Sequence, residues 1–186
     1  MKKYILILLL TSPCFGFSQN FPILANLPVD STNNLITYTS IVKIPKATTD
    51  QLYSKIRAWI ANTYNSANNV LQMDDKASWT LIAKGVFTYP NLHFSSFINY
   101  TLTVNIKPEK FRIIITNYTF HVVGDDNAYP LENIYHGFKN GLHPKDETDF
   151  NIQSQFIDML NDIDNKSNSI IKSLSIFINN SKKDDF

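Results

Sequence analysis

The sequence predicts an α+β fold: a largely antiparallel sheet in the order β-α-β-β-β-β-α, with its helices packed on one face. Over residues 98–107 the chain alternates strictly between apolar Ile98, Tyr100, Leu102, Val104 and Ile106 and polar Asn99, Thr101, Thr103, Asn105 and Lys107. That pattern requires one buried and one wet strand face, which is the mark of an antiparallel sheet. Two stretches, 52–64 and 156–177, change to the three-and-four spacing of amphipathic helices. Strands and helices do not alternate regularly, so a doubly wound parallel sheet is excluded.

The elements follow in order. Met1, Lys2 and Lys3 precede the apolar run 4–10, which is too short to span a membrane, and Gly16 and Ser18 stand three and one positions before Gln19. We therefore expect residues 1–18 to be a signal peptide and the mature chain to begin at Gln19. Pro13 directly before Cys14 argues against a lipid anchor there. Residues 19–34 hold Pro22, Pro28 and the turn-forming string Asp30-Ser31-Thr32-Asn33-Asn34, and read as a lead-in. A single domain is expected over 35–180. In it Ile36, Tyr38, Val42 and Ile44 share one face of a first strand that ends at Pro45. Thr48-Thr49-Asp50-Gln51 has the form of a capping box, and Leu52, Ile56, Trp59, Ile60 and Tyr64 make the stripe of the helix behind it.

Residues 70–73 then read as a short strand, 74–76 as a turn, and Trp79, Leu81, Ala83, Gly85 and Phe87 as one face of a longer strand. The 98–107 strand returns through Pro108-Glu109-Lys110 as a hairpin into 111–122. Residues 124–147 carry breaks at Pro130, Gly137, Gly141 and Pro144, and are expected to form an extended loop with one helical turn around 131–138. A long helix capped by Thr148 uses Phe156, Leu160, Ile163, Ser167, Ile170, Leu174 and Phe177, and 181–186 is a frayed tail.

Composition excludes several function classes. The 186 residues carry 17 Lys and Arg against 16 Asp and Glu, a formal charge of +1. Cleavage before Gln19 leaves 15 bases against 16 acids, a charge of −1, and no cysteine. A nearly neutral chain lacks the electrostatic footprint of a nucleic-acid binder, and its mature part holds no transmembrane segment. Without cysteine there is no disulfide framework, thiolate metal site or thiol nucleophile.

Leu27-Pro28-Val29-Asp30, Ile36-Thr37-Tyr38, Val42-Lys43-Ile44-Pro45, Leu52-Tyr53, Ala58-Trp59-Ile60 and Lys84-Gly85 together resemble a secreted Bacteroidetes family, a domain of unknown function with a TATA-binding-protein-like (TBP-like) fold. The resemblance covers 27–120. It implies the fold and no catalytic or binding residues. The chain departs from the family at Lys76-Ala77-Ser78-Trp79, where a glycine is expected in the hairpin turn. The name of the fold carries no function with it.

Five glycines form no phosphate-cradling motif, and no serine lies in a G-x-S-x-G segment. Asp74-Asp75 reads as a turn rather than a catalytic pair. These features point to an exported, periplasmic or secreted, non-catalytic binding or envelope-associated module. No catalytic residues, metal site or cofactor are assigned, and the partner is a protein or small molecule of unknown identity. The candidate binding residues are Trp79, Tyr129, Tyr135 and His136, since aromatic side chains favour clefts and long loops shape recognition surfaces. Two alternatives stand beside this reading. One is a metal-dependent hydrolase using Glu132, His136 and His143, with Asp146, Asp125 and Asp126 nearby. The other is a carrier of a small apolar ligand between the sheet and the long helix.

Overall fold

A computed structural model describes residues 22–64, 70–141 and 144–180, so the expected signal peptide, the frayed tail and His143 lie outside the described residues. One antiparallel sheet is built from β1 (Tyr38–Lys43), β2 (Leu71–Asp75), β3 (Thr80–Tyr89), β4 (Ser96–Lys107), β5 (Lys110–Val122) and β6 (Tyr129–Pro130). Its spatial order is β1-β5-β4-β3-β2, and β6 pairs with the part of β5 that β1 leaves free. Among the described residues three helices accompany it: α1 (Thr49–Thr63), α2 (Leu131–Lys139) and α3 (Glu147–Asn180). The α+β class and the antiparallel sheet are as the alternation in 98–107 requires.

The helices cover one face. Leu81, Ala83, Ile98, Leu102, Val104, Ile113 and Ile115 point inward from the sheet and are fully buried. They meet Leu52, Ile56, Trp59 and Ile60 of α1 and Leu160, Ile163, Leu174 and Ile178 of α3. Polar ties fix how these layers meet: Trp59 Nε1 donates to Ser173 Oγ (3.2 Å), Tyr38 Oη donates to Asp164 Oδ1 (2.8 Å), and Tyr118 Oη pairs with Ser167 Oγ (2.8 Å). α1 begins with the capping box that its sequence prescribes. Thr48 Oγ1 accepts from Gln51 N at 3.2 Å, and Gln51 Oε1 accepts from Thr48 N at 3.0 Å.

Several local expectations need correction. Asp74 and Asp75 end β2 instead of forming the turn, which is the four-residue stretch 76–79. Asp75 holds that turn by accepting from Ala77 N and Ser78 Oγ. Trp79 is not part of β3. With no glycine in the turn, Trp79 itself takes the left-handed conformation (φ 53°), its carbonyl accepts from Ile106 N at 2.9 Å, and its ring stands edge-on to Tyr53 at 5.7 Å. α3 starts before Thr148, and Asp146 supplies the cap: its Oδ1 accepts from Asp149 N at 2.8 Å.

The expected loop at 124–147 is the largest difference. Instead of one helical turn it carries β6 and a nine-residue helix, because Leu131, Ile134, Tyr135 and Phe138 form an apolar stripe and Gly141 (φ 92°) ends the run. The lead-in fastens this helix. Ile36 N donates to Glu132 Oε1 (2.9 Å), Leu27 N donates to Tyr135 Oη (3.1 Å), and Asn161 of α3 bonds both Ala25 and Ile23.

A bulge in β5 aims the end of the sheet. Pairing shifts between Asn99↔Thr119 and Thr101↔Thr116, with Asn117 in the left-handed region (φ 55°). Asparagine tolerates that conformation better than most residues. The inward set changes there from Phe111, Ile113 and Ile115 to Tyr118 and Phe120, so the last turn of sheet faces α2 and the start of α3.

Candidate functional site: a cleft at the end of the sheet

Three elements leave a cleft of about 640 Å3. β5 contributes Phe120 and Val122 as its floor. β6, paired through Phe120↔Tyr129, carries the chain into α2, which presents Asn133, Ile134, Gly137 and Phe138. The third wall is the first three turns of α3, where Asp149, Ile152, Gln153 and Phe156 fall at steps of three, one and three on one helical face. Phe94, from the β3–β4 loop, stands at the rim and is 54% exposed. Phe120 and Phe156 meet edge-on at 5.5 Å and Phe138 lies 6.3 Å from Phe156, which makes one aromatic surface.

Few polar groups interrupt that surface. Asp125 closes one end: its Oδ1 accepts from Asn127 N at 3.0 Å and its Oδ2 from Tyr129 Oη at 2.9 Å. The Asn127 amide and then the Tyr129 hydroxyl hold the Asp125 carboxyl below the usual range, and the same bond raises the Tyr129 phenol. Asp149 Oδ2 accepts from Lys145 N at 3.3 Å. Gln153 differs from these. It is 8% exposed, and its Oε1 has no hydrogen-bond partner among the described residues. Native interiors leave few such atoms unpaired.

The residues singled out from the sequence are dispersed. Tyr129 lies on the cleft. Tyr135, one turn along α2 from its start, points away into the core beneath Leu27. His136 packs against the Tyr135 ring at 5.6 Å, and Trp79 stands at the opposite end of β3. Glu132 is buried and engaged by the Ile36 amide, so it does not face His136 across an open site. Among the described residues no three His, Cys, Asp or Glu side chains are grouped to hold a metal ion. His121, a strand residue, stacks on Phe97 at 4.7 Å on the outer sheet face.

The walls contributed by Phe120, Phe138, Ile152, Gln153 and Phe156 were missed as site residues: Phe120 and Phe156 sit inside periodic segments that also describe core packing, Phe138 falls in the stretch read as a loop, and Ile152 and Gln153 precede the stripe of the long helix. A smaller recess of about 360 Å3 lies on the other flank of α3. In it Lys166 pairs with Asp162 at 2.7 Å and lies 4.5 Å over the Tyr89 ring, while Tyr89 Oη and Gln155 Oε1 have no hydrogen-bond partner among the described residues.

Residues 38–121 match a family described as a domain of unknown function (DUF4468) with TBP-like fold. No curated protein matches the chain. Among solved structures, a TBP-like protein from Parabacteroides distasonis ATCC 8503 superposes with a TM-score of 0.56 at 13% identity, covering 80% of this chain and 96% of that one. A DUF4468 family protein from Bacteroides ovatus ATCC 8483 gives 0.54 at 12% identity, with 82% and 90% covered. At these identities the likeness is one of fold. No helix among the described residues is long and apolar enough to cross a membrane.

Proposed function

We propose that this chain, whose residues 38–121 match the DUF4468 family with TBP-like fold, is an exported, non-catalytic binding module. It holds a small apolar ligand in the cleft between the end of β5, α2 and the first turns of α3. The cleft itself carries this reading. Its 640 Å3 falls inside the roughly 300–1,000 Å3 range of small-molecule sites, and an aromatic wall with few polar groups is what such sites share. Gln153 supplies one buried amide with an unpaired oxygen to orient the ligand. The polar lining groups are two carboxylates, two amides and the Tyr129 phenol, whose bond to Asp125 raises it and keeps it protonated, a poor nucleophile, which supports binding without turnover. The leader-like residues 1–18, and a sequence whose sole cysteine is Cys14, support export.

Titration with N-phenyl-1-naphthylamine, an apolar fluorophore, tests the reading. Wild type is expected to show saturable one-site enhancement, and Ile152→Trp, which fills the cleft from the α3 side, to abolish it. Equal enhancement in both proteins places the fluorophore elsewhere and overturns the assignment.

A further inference from the structure

The sheet face opposite the helices carries a row of like charges that only strand register creates. Lys43 on β1 lies opposite Lys110 on β5, and Lys110 lies opposite Lys107 on β4. Their neighbours Ile44, Ile106 and Phe111 point into the core, so alternation turns all three ammonium groups to the outer face. The next row continues the charge, with Arg112 set between Ile41 and Asn105. Directly opposed side chains in an antiparallel sheet have Cβ atoms about 5 Å apart, and like charges so placed repel.

None of the four cations makes an ion pair among the described residues. The outward positions of β1, β3, β4 and β5 hold no carboxylate. Asp75, on the edge strand β2, is taken by Ala77 and Ser78, and Glu109 in the hairpin turn accepts from Lys46 N at 2.7 Å. Arg112 spends one Nη2 bond on Asn105 Oδ1 at 3.0 Å, which fixes its planar fork. Ile41, Asn105, Lys107, Lys110, Phe111 and Arg112 enclose a recess of about 200 Å3.

We propose that this recess binds the phosphate group of an anionic ligand. Lys107 and Lys110 act as flanking point charges, Arg112 as the directional donor, and Lys43 extends the field along the row. The repulsion built into the free protein is relieved when the anion arrives. This site lies at the opposite end of the sheet from the cleft and does not depend on it.

The test measures binding of inorganic phosphate by calorimetry and of vesicles of phosphatidylglycerol in phosphatidylcholine by sedimentation, with pure phosphatidylcholine as control. Binding of phosphate alone identifies a free-phosphate site, and binding of the anionic vesicles alone identifies a headgroup site; either supports the proposal. Lys110→Thr is expected to weaken it roughly fivefold and raised salt to weaken it further. In phosphate-free buffer the same variant should melt roughly 1–2 °C higher, because it removes both repulsive pairs. Failure of phosphate and vesicles to bind, equal binding by wild type and Lys110→Thr, or tighter binding of duplex DNA than of either probe overturns the proposal.

Discussion

Replacing Gln153 by leucine asks whether the amide in the cleft is retained for a ligand or for the fold. The side chain is 8% exposed and its Oε1 is unpaired. A buried polar group in that state costs about 1–3 kcal/mol, because its hydration is lost and not replaced. Leucine has a similar reach, removes that penalty and adds apolar contact beside Ile152 and Phe156. The empty protein should gain about 1–2 kcal/mol, or roughly 2–8 °C in melting midpoint for a chain of this size. Urea unfolding followed by circular dichroism measures this as a higher midpoint at unchanged slope. Affinity for apolar ligands that carry a hydrogen-bonding group should fall about tenfold, the equivalent of about 1.4 kcal/mol. A variant less stable than wild type refutes the reasoning, since Gln153 would then be supporting the native packing.

Other perturbations test how the scaffold is held. Gly85→Ala should destabilise by about 3 kcal/mol in the same urea experiment: an added Cβ would lie 2.1 Å from Tyr100 Cζ, forcing out a buried ring that packs on Phe87 and bonds Tyr64 Oη. Glu132→Ala should cost about 2 kcal/mol by orphaning the Ile36 amide, while leaving the protein's zinc content, read by atomic emission, unchanged. Asp74→Asn should cost about 1 kcal/mol at pH 7, since Asp74 accepts from the Tyr53 hydroxyl and from Arg57 Nε. Burial works against the charged form of Asp74, but the bonds from Tyr53 and Arg57 outweigh it and hold the carboxyl below its usual range; burial and that bond push the Tyr53 phenol up to about 12. A lowered carboxyl stabilises above its unfolded value near ~4 and loses that contribution as pH falls through the folded value. The gap between Asp74→Asn and wild type should therefore close below about pH 4, as urea midpoints at pH 7 and pH 3 will register.

The sheet and two of the helices were legible because each rests on a period that spans many residues. The strict alternation of 98–107 and the capping box at Thr48 and Gln51 are local signals, and the structure repeats them residue for residue. α2 was hidden by its punctuation. Pro130 and Gly137 made a loop the economical reading, yet Leu131 and Tyr135 become helical once the lead-in covers them, a contact across about a hundred residues of chain. Trp79 was misplaced by one position for a different reason: period-2 counting does not register that a glycine-free turn must take its left-handed residue from somewhere. The two candidate sites were the least legible. The cleft uses Phe120, Ile134 and Phe156 from three elements, and the basic row uses Lys43, Lys107 and Lys110 from three strands. A chain whose charges nearly cancel in composition concentrates four of its cations at one end of one face only when the register is set.

The central claim is that the end of the sheet is an open apolar site, and a crystal structure of the protein soaked with N-phenyl-1-naphthylamine tests it most directly. The account predicts density for one molecule between Phe120, Ile134 and Phe156, with its amine directed toward Gln153. A cleft closed by those side chains, with the fluorophore absent or seated elsewhere, would contradict it.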